Sequence, residues 1–239
     1  MLEFPLSDKY IHLLSYENEL SSKDMVIPDP NFKKLDALYK ISNCNIKEFI
    51  EISGIDLKTI KNLINHAKTR FSYPFNDLEL DNCILKLAPL NFEHLIDLAA
   101  LYRPGPITIN IIDKYIKKDS ILKNYLNLPE KVINVLKLTS GIPIYQEQMI
   151  KIIMLTTAYE KKSAWKIFKV ILKLRHDKLP STADDFFKNG FKQGNDTKTM
   201  QALWHLLLQY SMYTYKMRYA LIFVRYACIS SLLQKNGYI

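Results

Sequence analysis

The stretch LAALYRPGPITINIIDKYIKK, Leu98 to Lys118, joins a helical run to an amphipathic one across Pro104-Gly105-Pro106. A residue that precedes proline is pushed out of the α region, and glycine adopts backbone angles closed to other residues. The chain is therefore expected to turn sharply here, with Arg103 fixed at a corner between two helices. What such a corner could serve depends on the residues around it.

The chain has 239 residues, nearly half of them apolar, so it is long enough to bury a core and too apolar to be disordered. Six glycines are few for a fold built on tight β-turns, which favours helices. No apolar run reaches the roughly 18 residues of a membrane span, and the opening MLEFPLSDKYIHLL lacks a signal-peptide layout. The expectation is a cytoplasmic protein with no membrane partner. Cys44, Cys83 and Cys228 are far apart with no C-x-x-C pair, which argues against zinc or a disulfide framework.

Charge is unevenly distributed. Residues 1–102 carry 11 Lys+Arg against 15 Asp+Glu, a net −4, whereas residues 103–239 carry 22 against 9, a net +13. A basic C-terminal part points to a polyanionic partner, nucleic acid ahead of a membrane surface.

Three regions are expected: an irregular N-terminal arm over 1–30, a helical lead-in over 31–91, and a larger helical domain over 92–239. The lead-in reads as two helices, with Ile46, Phe49 and Ile50 on the first, Gly54 as its stop, and Ile60, Leu63 and Ile64 on the second. Downstream, periodicity predicts helices at Asn110–Lys118, Pro129–Thr139, Gln146–Tyr159, Lys162–Leu174, Ala183–Asn189, Thr197–Tyr213 and Met217–Gln234.

Within KKSAWKIFKVILKLRHDK, Lys162, Lys166, Lys169 and Lys173 are spaced by four, three and four residues, which stacks four ammonium groups on one helix face. Ile167, Val170, Ile171 and Leu174 supply an apolar side. No acids interleave to relieve the repulsion, so the stripe is either a solvated face or a phosphate-binding one. In YSMYTYKMRYALIFVRYA, Tyr210, Tyr213, Tyr215, Tyr219 and Tyr226 alternate with Lys216, Arg218 and Arg225. Rings can stack on bases while cations neutralise phosphate, although a tyrosine at helical spacing more often packs in a core. The acidic run Asp77, Glu79, Asp81 reads as solvated surface. His66, His94, His176 and His205 have no metal-ligand spacing, so no metal site is expected.

Taken in order, FEHLIDLAALYRPGP, LTSGIPIYQEQMIKI, the basic helix, DDFFKNGFKQG and the tyrosine-rich segment resemble the fingers region of bacterial DNA polymerase III alpha subunits, the C family of replicative polymerases, over about Phe92 to Tyr238. The resemblance implies a mostly α, irregular multi-helix domain in which the corner grips DNA and incoming nucleotide. Upstream, FKKLDALYKISN resembles the family segment carrying the last of three palm carboxylates, which places Asp36 there, either as a relic or as an ordinary exposed aspartate.

The sequence also departs from the family. It has no D-x-D pair, and two Mg²⁺ ions need more carboxylates than Asp36. The family's Arg-Arg-Ala-Met-Gly-Lys-Lys helix falls on Phe168 to Leu174, where only Lys169 and Lys173 keep a cation. Its Asn-Lys-Ser-His motif falls near Lys216 to Tyr219, where the histidine is gone. Nucleotide binding built on paired arginines would weaken, while backbone contact would survive.

The resemblance thus implies a catalytically incomplete alpha-like protein without its own cofactor. It would bind DNA, as template-primer or single strand, or a replisome component through Arg103, Lys162, Lys166, Lys169, Lys173, Lys216, Arg218 and Arg225, in an accessory or regulatory role. The alternative is the fingers piece of a split polymerase, active with Mg²⁺ and a separate palm-bearing chain, in which Asp36 would be needed.

Overall fold

A computed structural model describes residues 8–16, 86, 92–125 and 127–221. The chain groups into two compact units, one of Met1–Leu6, Glu19–Ile96 and Leu221–Ile239, the other of Ser7–Asn18 and Asp97–Ala220. Nearly all the described elements belong to the second. Among the described residues the fold is helical, with one isolated parallel bridge, Tyr145 to Tyr215, and no strand. No helix among them is long and apolar enough to cross a membrane.

The corner turns for a different reason from the one its glycine suggests. Arg103 is extended, at φ −141° and ψ 154°, as a residue before proline should be. Pro104 then opens a one-turn helix, Pro104–Thr108, because a missing N–H is harmless in a first turn. Gly105 is helical, and a Cβ there would lie 3.4 Å from Cδ1 of Tyr213, an ordinary contact. The second bend falls at Asn110, whose left-handed φ of 61° precedes helix Ile111–Ile116. The helix expected over Asn110–Lys118 is therefore split from the corner and shortened.

Residues 8–14, expected in an irregular arm, form helix α1, Asp8–Leu14, with Tyr10 and Leu13 buried. Seven residues span only about two turns, too short for periodicity to register, and the helix's partners are distant in sequence. The next helices in chain order are α2, Phe92–Leu101; α3, Pro104–Thr108; α4, Ile111–Ile116; and α5, Glu130–Lys137. Then come α6, Gln146–Thr157; α7, Lys161–Leu172; α8, Leu179–Lys192; and α9, Thr197–Tyr210, which runs into the 3-10 turn Ser211–Tyr213.

Helix α6 is central to the second unit. It packs against α1, α5, α7 and α8, and its Met149, Ile150, Ile152 and Ile153 are all fully buried. A helix covered on most sides loses its polar face, so its polar residues must find partners inside. Gln148 does so completely: its Oε1 accepts from the N–H groups of Ile144 and Tyr145, each at 2.9 Å, and its Nε2 donates to Val135 O and Thr139 Oγ1.

Helix α7 buries Ala164, Trp165, Ile167, Phe168 and Ile171 and stops at Leu172. Its end is a two-bond cap, with Leu174 N–H bonded to Ile171 O and Arg175 N–H to Val170 O. Leu174, expected on the apolar side, instead fills the left-handed capping position usually held by glycine, with φ 44°, and is exposed. Helices α8 and α9 approach closely through Gly190, where a Cβ would fall 2.2 Å from the Met200 methyl carbon.

Candidate nucleic-acid interface

The site is built on Asp97, a carboxylate on α2 with only 1% exposure. An uncompensated buried charge would cost several kcal/mol, so it needs strong donors. Three tyrosine hydroxyls supply them. Tyr10 donates to both carboxylate oxygens at 2.9 Å, Tyr115 to Oδ2 at 2.5 Å, and Tyr145 to Oδ1. These rings come from α1, α4 and the residue preceding α6, so one carboxylate joins segments far apart in sequence.

Two arms extend from this hub to the same place. Along α2 the chain reaches Arg103, whose Nε donates to Ala100 O at 2.6 Å and whose Nη2 donates to Tyr213 O at 2.7 Å. Along α6, Gln146 N–H donates to Tyr215 O at 2.9 Å, Tyr215 N–H donates to Ile144 O at 2.8 Å, and the buried Glu147 carboxylate accepts from Met217 N–H. The corner and the IYQEQ segment therefore both hold residues 213–217.

What they present is a ladder of two rings flanked by cations. The Arg103 guanidinium carbon lies 4.5 Å from the Tyr215 ring centroid. Tyr215 meets Tyr219 edge-on at 6.3 Å, and Lys216 Nζ lies 5.0 Å from the Tyr219 centroid. Arg103, Tyr215, Lys216, Arg218 and Tyr219 are all half-buried. Tyr210 is core, and the Tyr213 ring lies against Gly105.

The lysine stripe is a second surface. Lys162, Lys166, Lys169 and Lys173 are all exposed, on the side of α7 opposite its buried residues, and none pairs with a carboxylate among the described residues. Lys169 Nζ lies 5.8 Å from the Trp165 ring. Neighbouring Lys161 is used inside the fold, donating to Ser15 O at 3.0 Å. Helix α7 packs on the 3-10 turn that leads into the ladder.

Sequence reasoning thus found Arg103, Lys216 and Arg218 without the ring contacts that bring Arg103 and Lys216 together. It missed Asp97, Tyr10, Tyr115 and Tyr145, whose only sequence signal was polar groups inside otherwise apolar helical runs. Asp36, Arg225, Tyr226, the acidic run and all three cysteines lie outside the described residues. Among the described residues no cluster of three or more His, Cys, Asp or Glu is placed to hold a metal ion. The carboxylates buried among the described residues, Asp97 and Glu147, are engaged by hydroxyl and amide donors.

The helical unit thus brings its YRPGP corner and its IYQEQ segment together on residues 213–217. Residues 33–194 match the family model of the bacterial DNA polymerase III alpha subunit finger domain. The chain belongs to this family. The match starts upstream of Phe92, so it takes in Asp36, and stops before the ladder tyrosines.

Among curated proteins, the chain is similar to DNA polymerase III subunit alpha of Aquifex aeolicus, at 27% identity over 70% of this chain and 14% of the relative. The same subunit of Campylobacter jejuni is 30% identical over 57% of this chain and 12% of the relative. That of Buchnera aphidicola is 26% identical over 79% and 16%. The aligned stretches thus span about one-seventh of these relatives' length.

Burial, and then the Asp97 charge, hold the Tyr145 hydroxyl well above the ordinary tyrosine value. Burial likewise pushes Tyr125 up to about 12 and raises Tyr159 and Tyr210. The folded chain keeps protons that the unfolded chain releases near pH ~10, so these groups' stabilisation is full below that pH and declines as pH rises through the folded values. Denaturant unfolding followed from pH 8 to pH 11 (roughly the span around free tyrosine) should show stability falling at the alkaline end. Tyr145→Phe should show a shallower fall; an unchanged slope would contradict the assignment.

Proposed function

We propose that this chain is a polymerase III alpha-like finger protein that binds the DNA backbone through the lysine face of α7 and through the Arg103–Tyr215–Tyr219–Lys216 ladder with Arg218. It serves an accessory or regulatory role in DNA replication or repair. The observation that carries the reading is the row of four exposed lysines with no carboxylate partner among the described residues. Such a row pays repulsion for nothing unless an anion faces it. A row of phosphates can face the stripe, because helical steps of three and four residues place successive lysines roughly 4.5–6 Å apart along the axis on one face.

The ladder has different chemistry. Its cations already lie against tyrosine rings, so they reach a strand pre-oriented and lose little side-chain freedom on contact. Rings beside cations suit unpaired bases and single strands, whereas the lysine face reads phosphate alone.

Primer extension on two Mg²⁺ ions requires more carboxylates than Asp36, and the sequence has no D-x-D pair to add to it. The 239-residue chain incubated with primed template, Mg²⁺ and deoxynucleotides is expected to give no extension product. Steady template-dependent extension by the pure chain would overturn this part of the proposal.

Binding itself is tested by salt dependence. Log affinity for DNA should fall linearly with log salt, and replacing Lys166 and Lys169 by glutamine should flatten the slope by about 1.4 to 1.8, at roughly 0.7 per single-strand contact and 0.9 per duplex contact. Folding stability should change by only about 0.5 kcal/mol or less, since both residues are exposed. A double variant with the wild-type slope and affinity would make the stripe a solvated face.

A further inference from the structure

We infer that residues 8–16 are a strap that positions the arginine–tyrosine ladder from a distance, so that loosening the strap loosens the backbone around Tyr215. The inference does not depend on what the ladder binds. Helix α1 has seven residues, too few to persist in water alone, so its conformation depends on what it docks against.

The strap is held at both ends. At its inner end, Tyr10 donates to both oxygens of Asp97 and meets the Tyr145 ring edge-on at 6.3 Å. At its outer end, Ser15 O accepts from Lys161 Nζ at 3.0 Å and Tyr16 O accepts from the Trp165 indole N–H at 3.2 Å. The ammonium of Lys151 lies 5.1 Å from the Tyr16 centroid.

The inner end directly touches the residues that place the ladder. Asp97 fixes the helix that ends in the Arg103 corner, and Tyr145 fixes the start of α6. There Gln146 N–H grips Tyr215 O and Glu147 accepts from Met217 N–H. Removing the Tyr10 hydroxyl takes a donor from both Asp97 oxygens at once, leaving Tyr145 to share a less neutralised carboxylate. The strap also lies outside residues 33–194, the stretch matched by the family model, whereas Asp97, Tyr115 and Tyr145 lie inside it. A segment beyond the matched stretch thus acts on residues within it.

Amide hydrogen exchange of the full chain, resolved by residue without DNA, tests this. Tyr10→Phe should accelerate exchange at Gln146, Tyr215 and Met217 by about ten- to a hundredfold, the factor expected for one lost hydrogen bond to a charged group. The amides of α9 should stay at wild-type rates. Trp165→Phe, which frees the outer end and leaves Asp97 its three hydroxyls, should give the same pattern more weakly. Acceleration of α9 to the same degree would make Tyr10 a general stability residue and overturn the inference. Unchanged exchange at the three amides, with or without faster exchange in residues 8–16, would overturn it equally.

Discussion

A single buried carboxylate governs how this helical unit is assembled. Asp97 is removed from water, and Tyr10, Tyr115 and Tyr145 donate to it, which makes its charge tolerable. Hydrogen bonds to a charged group are worth roughly 1.5–3 kcal/mol each, and an unmet buried charge costs more than that. Three hydroxyls on three separate segments, α1, α4 and the residue before α6, must converge on the two oxygens of Asp97, which ties those segments to α2.

The two surfaces that face solvent are held very differently. The ladder is locked by Arg103, Gln146 and Glu147 through backbone atoms of residues 213–217, so its rings and cations are fixed before any ligand arrives. The lysine face of α7 is carried on a helix, and its side chains are exposed. In the proposed reading the ladder would supply orientation and the stripe electrostatic attraction, the two contributions that backbone-directed nucleic-acid binding uses.

Much of the fold was legible because the signals were local. The helical period marked α5, α6, α7, α9 and the middle of α8, and the prolines marked the corner; the first turn of α8, Leu179 to Thr182, was not read. Lys162, Lys166, Lys169 and Lys173 were readable as one face because a helix's outward residues follow from its period. The function of Arg103 was only half legible: proline explained its extended backbone, but nothing nearby revealed that Tyr213 and Tyr215 would meet it 110 residues later. The hub was illegible for the same reason, since Tyr10 and Asp97 are 87 positions apart. Local rules misjudged Gly105 and Leu174 in opposite directions. The glycine sits in ordinary helical backbone, and the leucine takes the left-handed cap that a glycine would favour.

The equilibrium unfolding free energy of Asp97→Asn tests the central claim most directly. Asparagine keeps the size of the side chain but loses the charge and one acceptor oxygen, so the three hydroxyls can no longer all donate to it. A loss of about 2 to 4 kcal/mol relative to wild type is the predicted result. A loss below about 1 kcal/mol, within the range of an ordinary surface substitution or a minor core change, would mean that the fold does not depend on this carboxylate.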